Sequence, residues 1–111
     1  MSQPHIRHLA VLVAVPAAGQ ATVAILTGLA GFRRKVLAVA PVRIANLMLV
    51  AALDTDYIIE SPSDFIPATA DQWYPVNLEL LVGQVFNLGY RDVGAGAGNR
   101  NVVIRYEQEA L

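Results

Sequence analysis

The chain has 111 residues, enough for one domain on a single hydrophobic core and too few for an enzyme with separate cofactor and substrate lobes. Hydrophobic residues make up 55% and charged residues 15%, against about 25% charged in a usual soluble domain, which excludes disorder. The net charge of −1 argues against bulk attraction to nucleic acid, and the absence of cysteine excludes disulfides, thiolate metal sites and cysteine nucleophiles.

The first apolar stretch, residues 9–32, has two interpretations. Arg7 and the Arg33-Arg34-Lys35 cluster flank it with no charged residue between them, as they would flank a transmembrane helix. Its middle, residues 16–20, reads Pro-Ala-Ala-Gly-Gln, which is typical of a turn. Apolar residues alternate before this turn, so we predict strands on either side of it and keep a membrane anchor over residues 9–32 as the alternative.

The central part of the chain continues with short apolar segments. Residues 34–39 alternate as a strand does, whereas the apolar run 44–53 fits either a buried strand or a short helix. Residues 57–59 are Tyr-Ile-Ile, a β-rich triplet, and the turn composition Ser-Pro-Ser-Asp follows at 61–64. The sequence to residue 72 is predicted to be irregular.

The C-terminal part shows the clearest alternation. Residues 76–80 and 85–90 are predicted strands separated by Gly83-Gln84, and a glycine-rich loop over 93–101 leads into a last strand at 102–107. In that last strand one apolar row, Val102, Ile104 and Tyr106, should face the core. About eight short strands in one domain, residues 1–111, predict an all-β fold, an antiparallel β-sandwich or a jelly-roll-like barrel.

Charge is divided unevenly between the two halves of the chain. Residues 1–53 carry five basic residues and no acid, and residues 54–111 carry three arginines against nine acids, a net charge of −6. Opposite charges of this kind pair within one molecule or between copies, and both possibilities stay open. Arg33, Arg34 and Lys35 are too concentrated for a nucleic-acid footprint, so we interpret them as a solvated or interface patch.

Residues with catalytic or metal-binding chemistry do not form a known motif. Two histidines, His5 and His8, would lie on opposite faces of a strand. The acidic group Asp54, Asp56, Glu60 and Asp64 lacks the glycine and the final glutamate of a calcium loop. The loop Gly94–Gly98 lacks the lysine of a phosphate-binding loop, and no serine has a nucleophile-elbow setting. We therefore expect no enzymatic activity, no cofactor and no metal.

Trp73 and Tyr74 precede Pro75 at the start of a predicted strand. Adjacent aromatics of this kind can form a sugar-stacking platform, but they more often anchor a core or an interface. We take both as interface candidates, and keep a carbohydrate- or ligand-binding sandwich as an alternative function.

Residues 73–109 carry a family resemblance. They read Trp-Tyr-Pro-Val-Asn-Leu-Glu-Leu-Leu-Val-Gly-Gln-Val-Phe-Asn-Leu-Gly-Tyr-Arg-Asp, then a glycine-rich loop, then Val-Val-Ile-Arg-Tyr-Glu. This third of the chain resembles the closing strands of the small β-sandwich head decoration, or cement, proteins of tailed bacteriophages. The resemblance implies a virion protein on the capsid surface, in symmetric clusters, that stabilises the capsid through the coat protein.

The excess of apolar residues also indicates association with other protein subunits, because a domain this small has too little interior to bury it. We expect a non-enzymatic structural subunit that forms homo-oligomers and binds a larger assembly, with capsid coat protein as the expected partner and no nucleic acid. A small membrane protein anchored by residues 9–32 is the main alternative.

Overall fold

Two four-stranded antiparallel sheets pack face to face. The structure, a computed structural model, describes residues 4–42, 44, 46–63 and 73–111. Its strands are β1 (His5–Val15), β2 (Gln20–Thr27), β3 (Phe32–Pro41), β4 (Leu47–Leu53), β5 (Asp56–Pro62), β6 (Tyr74–Leu80), β7 (Val85–Asp92) and β8 (Gly98–Ala110). The first sheet has the order β1-β8-β3-β6 and the second β2-β7-β4-β5. The predicted all-β sandwich of eight strands is confirmed.

The core lies between the sheets and is formed mainly by one face of each strand, although β4 is also buried on its other face, at Val50 and Ala52. In β8 the predicted row of Val102, Ile104 and Tyr106 is buried, while the residues between them are half-buried. The largest fully buried side chains elsewhere come from the two central strands of the second sheet: Tyr90, Phe86, Leu47, Leu49 and Leu88. Burying each such aliphatic or aromatic side chain contributes about 1.5–3 kcal/mol, which is the main stabilisation of the fold.

β1 is a strand as predicted, but its apolar row is only partly buried. Val13 and Val15 are buried and Val11 is half-buried, whereas Leu9 and Arg7 on the same face are exposed. β1 lies at the edge of its sheet, and only its half nearest the β1–β2 turn is covered by the core.

Residues 9–32, the alternative membrane anchor, contain most of β1, all of β2 and the first residue of β3. The expected turn lies between the first two strands, where the Gly19 N–H donates to the Pro16 carbonyl at 3.1 Å. Within the described ranges, no helix has the length and apolar character needed to cross a membrane.

Bulges change the side-chain alternation in the middle of the chain. The pairing of β3 shifts register between Val36 and Ala38, so Val36 and Val39 are both buried although a regular strand would place them on opposite faces. The ambiguous run 44–53 contains strand β4, not a helix. β5 extends to Pro62, past the start of the predicted turn, and the segment predicted to be irregular, residues 64–72, lies outside the described residues.

Asp92 ties together the loops at one end of the sandwich. Its carboxylate accepts N–H groups from Ala18 at 2.8 Å, Gly94 at 3.0 Å and Gly96 at 2.8 Å. These three donors, led by Ala18, hold the pKa of the Asp92 carboxyl below its usual range, with a smaller contribution from Arg100. The glycine-rich loop is therefore a connector between β7 and β8 whose backbone is held by the preceding strand.

Tyr90 links the core to two backbone groups and provides a test of the packing. Its hydroxyl donates to the Asn101 carbonyl at 2.8 Å and accepts the Val42 N–H at 3.0 Å. Burial raises the pKa of Tyr90 to about 12, and the hydrogen bond from Val42 opposes that rise. Between about pH 10 and pH 12 the unfolded chain loses this proton while the folded chain keeps it, so stability should fall by about 1.4 kcal/mol per pH unit.

Denaturant midpoints measured from pH 8 to pH 12 check this expectation. Tyr90→Phe should lower stability at neutral pH, because the Val42 N–H and the Asn101 carbonyl lose their partner, and should reduce the alkaline slope. Tyr57→Phe removes an exposed hydroxyl and is the control for the loss of one tyrosine. An unchanged slope in Tyr90→Phe would show that this hydroxyl is not buried in the fold.

Candidate functional site

The basic cluster Arg33, Arg34 and Lys35 is divided between two faces of β3. Arg33 lies on the outer face of the first sheet, where its guanidinium is 2.8 Å from Glu109 and 3.9 Å from Glu79. Lys35 is in register with Glu79 on β6 and with Glu107 on β8. The Arg33 ion pairs join the basic half of the chain to the acidic half within one molecule. An exposed pair of this kind contributes about 0–1 kcal/mol, so the cluster adds little to stability.

Arg34 lies on the opposite face, at one end of the space between the sheets. Its guanidinium donates to Gln108 at 2.9 Å and to the Thr27 carbonyl at 2.8 Å, and lies 5.9 Å from the centre of the Tyr106 ring. Since Thr27 ends a strand of the second sheet, Arg34 connects the two sheets. Of the three predicted interface residues in this cluster, Arg34 therefore has an evident structural role.

Trp73 and Tyr74 also lie on opposite faces. The Trp73 ring contacts the Arg105 guanidinium, 4.2 Å from the ring centre, and the His8 ring, with centres 5.7 Å apart. Arg105 and His8 are directly opposite each other on β8 and β1, with their Nε and Nε2 atoms 3.3 Å apart. Trp73 thus packs across the outer face of the first sheet, and the two aromatics do not form one stacking platform.

Tyr74 lines a groove of about 290 Å³ between the edge strands β5 and β6. The other lining residues are apolar: Ile58, Ile59, Pro75, Val76 and Leu78. Most of the chain segment between these two strands, residues 64–72, lies outside the described residues, so we base no site on this groove.

A second apolar surface lies at the end of the sandwich that carries the β2–β3 and β6–β7 turns. We call it the apolar tip, and it consists of Leu29, Leu81, Val82 and Leu111. Leu81, Val82 and Leu111 are 62%, 67% and 85% exposed, and they line a groove of about 260 Å³. The rest of its lining is Phe32, Leu80 and the charged pair Arg33 and Glu79. Sequence reasoning missed this surface, although large apolar residues within turns, where polar residues are usual, were a visible signal.

Backbone hydrogen bonds hold the apolar tip in place. The Gly28 N–H donates to the Gln84 carbonyl at 2.8 Å, and the Gly83 N–H donates to the Gly28 carbonyl at 3.2 Å, which joins the two turns. The Leu111 N–H donates to the Gly31 carbonyl at 2.9 Å. The tip therefore presents its apolar side chains from an ordered backbone, and binding there needs little further ordering.

Two members of the predicted acidic group, Asp54 and Glu60, make structural contacts. Asp54 accepts the Val85 N–H at 2.9 Å, and Glu60 lies 3.3 Å from Arg91. Asp64 lies outside the described residues. Among the residues that the structure describes, no three histidine, aspartate or glutamate side chains come together as metal ligands would.

Comparison with protein-family models, with curated proteins and with solved structures finds no match. The resemblance of residues 73–109 to phage decoration proteins therefore stays a prediction.

Proposed function

We propose that this chain is a non-enzymatic structural subunit of a virion, which decorates a phage head and stabilises it by contacts with the coat protein and with further copies of itself. The observation that carries the proposal is the apolar tip, where large side chains lie exposed on hydrogen-bonded turns. Contiguous exposed apolar surface on a small domain is typical of a protein–protein interaction site. The virion is proposed as the location because residues 73–109 resemble phage head decoration proteins.

The size of the apolar tip suits binding to a larger assembly. Full burial of each of its large side chains contributes about 1.5–3 kcal/mol, and association costs about 4–15 kcal/mol in lost freedom. One tip therefore gives weak attachment at most. Repeated copies on a symmetric particle add their contacts, so the proposed role depends on oligomers that bind several sites at once.

The test is whether the chain purifies with assembled particles through the apolar tip. Phage heads from the source of this sequence, banded on a density gradient, should carry the chain. The Leu81→Ser, Val82→Ser double variant should be retained at least about tenfold less, which corresponds to about 1.4 kcal/mol per site. The control is Val93→Ser, because Val93 is similarly exposed but follows β7 at the other end of the sandwich.

Absence of the chain from purified heads would contradict the virion role. Equal retention of the double variant, with a circular dichroism spectrum still typical of β-sheet, would show that the apolar tip is not the attachment surface.

A further inference from the structure

β1 differs from the other three edge strands of the sandwich. The pairings leave an extra residue on β2 at Ile25, on β5 at Ile58, and on β6 at Val76 and Asn77. Such bulges interrupt the row of backbone N–H and C=O groups and prevent an edge from pairing with another chain. In β1, all eleven residues pair with β8 without a register shift. The strand that could accept a partner most easily is therefore β1.

The side chains of β1 distinguish it from β5 and β6, whereas β2, which also lacks charge and proline, differs from β1 by its bulge. Residues 9–15 contain no charge and no proline, whereas β5 ends at Pro62 and β6 contains Pro75. Charges and prolines are the usual protection of an edge strand. Leu9 and Leu12 are both exposed, and strand alternation places them on opposite faces. Seven uncharged residues form an edge about 24 Å long that is suited to pairing with another strand.

We propose that β1 pairs antiparallel with β1 of a second copy, so that two four-stranded sheets become one sheet of eight strands. The inference deepens the self-association part of the proposed function and names its surface. Pairing satisfies the outward backbone groups of β1 and removes apolar side chains from water on both faces.

A second copy fits this edge because the uncharged run can pair with itself. A two-fold axis at Leu12 places residues 9–15 of one copy opposite residues 15–9 of the other. Paired residues are then both odd-numbered or both even-numbered, and their side chains lie on the same face of the sheet. The buried row of Val13 and Val15 therefore continues on that face across the dimer. Arg7 of each copy lies beyond the paired run, and no like charges face each other across it.

A charge placed on this edge tests the pairing. Leu12 is 55% exposed in one chain and Val93 is 56% exposed, so lysine at either position alters the fold of one molecule to a similar, small extent. Sedimentation equilibrium at micromolar concentration should give dimers or multiples of dimers for the natural chain and for Val93→Lys. Leu12→Lys should weaken the dimer at least tenfold and give a species near the chain mass of 11.9 kDa.

A cross-link tests the register and does not depend on how well the lysine variant folds. The chain has no cysteine, so Leu12→Cys introduces a single thiol. Directly opposite residues of antiparallel strands have Cα atoms about 4.5–5.5 Å apart, within the range that a disulfide spans. Mild oxidation should therefore link Leu12→Cys into covalent dimers. Thr22→Cys, exposed on the bulged edge strand β2, is the matched control and should stay monomeric.

A monomeric natural chain, an unchanged dimer in Leu12→Lys, or equal cross-linking at residues 12 and 22 would each overturn the β1 pairing. A failure of the β1 pairing can be distinguished from a failure of the proposed binding to phage heads. Heads that bind the chain through the apolar tip while Leu12→Cys stays monomeric would keep the virion role and reject the pairing. Efficient cross-linking at residue 12 with no binding to heads would support the pairing and reject the virion role.

Discussion

The Gly89→Ala variant is expected to lose more than about 4 kcal/mol of folding free energy, or to fail to fold. Gly89 lies in β7, opposite Thr22 of β2 on one side and Val50 of β4 on the other. A Cβ atom at this position would lie 1.9 Å from the Ala21 carbonyl oxygen and 2.6 Å from the Thr22 Cα. Both are backbone atoms of a paired strand, so no side-chain rotation relieves the overlap and β2 has to separate from β7.

Gly31→Ala is the matched control for the Gly89 substitution. A Cβ at Gly31 meets no atom within 4 Å, and only the positive φ of 86° opposes the change. That conformation costs about 1–2 kcal/mol in an L-residue. Denaturant midpoints of the two variants should therefore differ clearly, and equal midpoints would mean that β2 and β7 do not approach as closely as the structure shows.

The strands could be predicted from the sequence because their main signal is local. In β8, the predicted inner row of Val102, Ile104 and Tyr106 is the buried one, although Val103 interrupts the alternation of apolar and polar residues. In β1 the same signal is only half right, since alternation fixes which residues share a face but not how much of that face another sheet covers. The run at β4 stayed ambiguous because a strand buried on both faces has no alternation to distinguish it from a helix.

Bulges could not be predicted, and they decide where several side chains lie. The irregularities at Leu37, in β3, and at Ile58, in β5, depend on the partner strand as much as on the residue itself. The absence of a bulge in β1 is equally invisible in the sequence. The proposed dimer edge became recognisable only when all four edge strands could be compared.

The positions of the predicted interface residues could likewise be derived only in part from the sequence. Strand alternation separates Arg33 from Arg34, and Trp73, which lies just before β6, contacts the opposite face of the sheet from Tyr74, so neighbours in the sequence do not form one surface. The cluster of Trp73 with His8 and Arg105 joins residues from three distant parts of the chain through the strand order β1-β8-β3-β6. That order is set by tertiary packing, which a reading of local patterns does not contain.

Ile104→Ala is expected to cost about 2–5 kcal/mol, a large part of the 5–15 kcal/mol that stabilises a typical domain. Ile104 is fully buried on β8, a central strand of its sheet. It lies opposite Leu9 of β1 on one side and Val39 of β3 on the other. Removing three carbon atoms there leaves a cavity between the sheets that strands paired on both sides cannot easily close.

Its neighbour Arg105 provides the contrast, because alternation directs this side chain to the outer face. Arg105→Ala should cost about 0.5–1 kcal/mol, mainly from the contact between its guanidinium and the Trp73 ring. Urea midpoints at a fixed protein concentration measure both variants, and the fixed concentration keeps the contribution of self-association comparable. A helix would place residues 104 and 105 only about 100° apart and reduce the difference between them. Equal losses at the two positions would therefore contradict the strand assignment of β8, on which the pairing of β1 and the proposed dimer edge both depend.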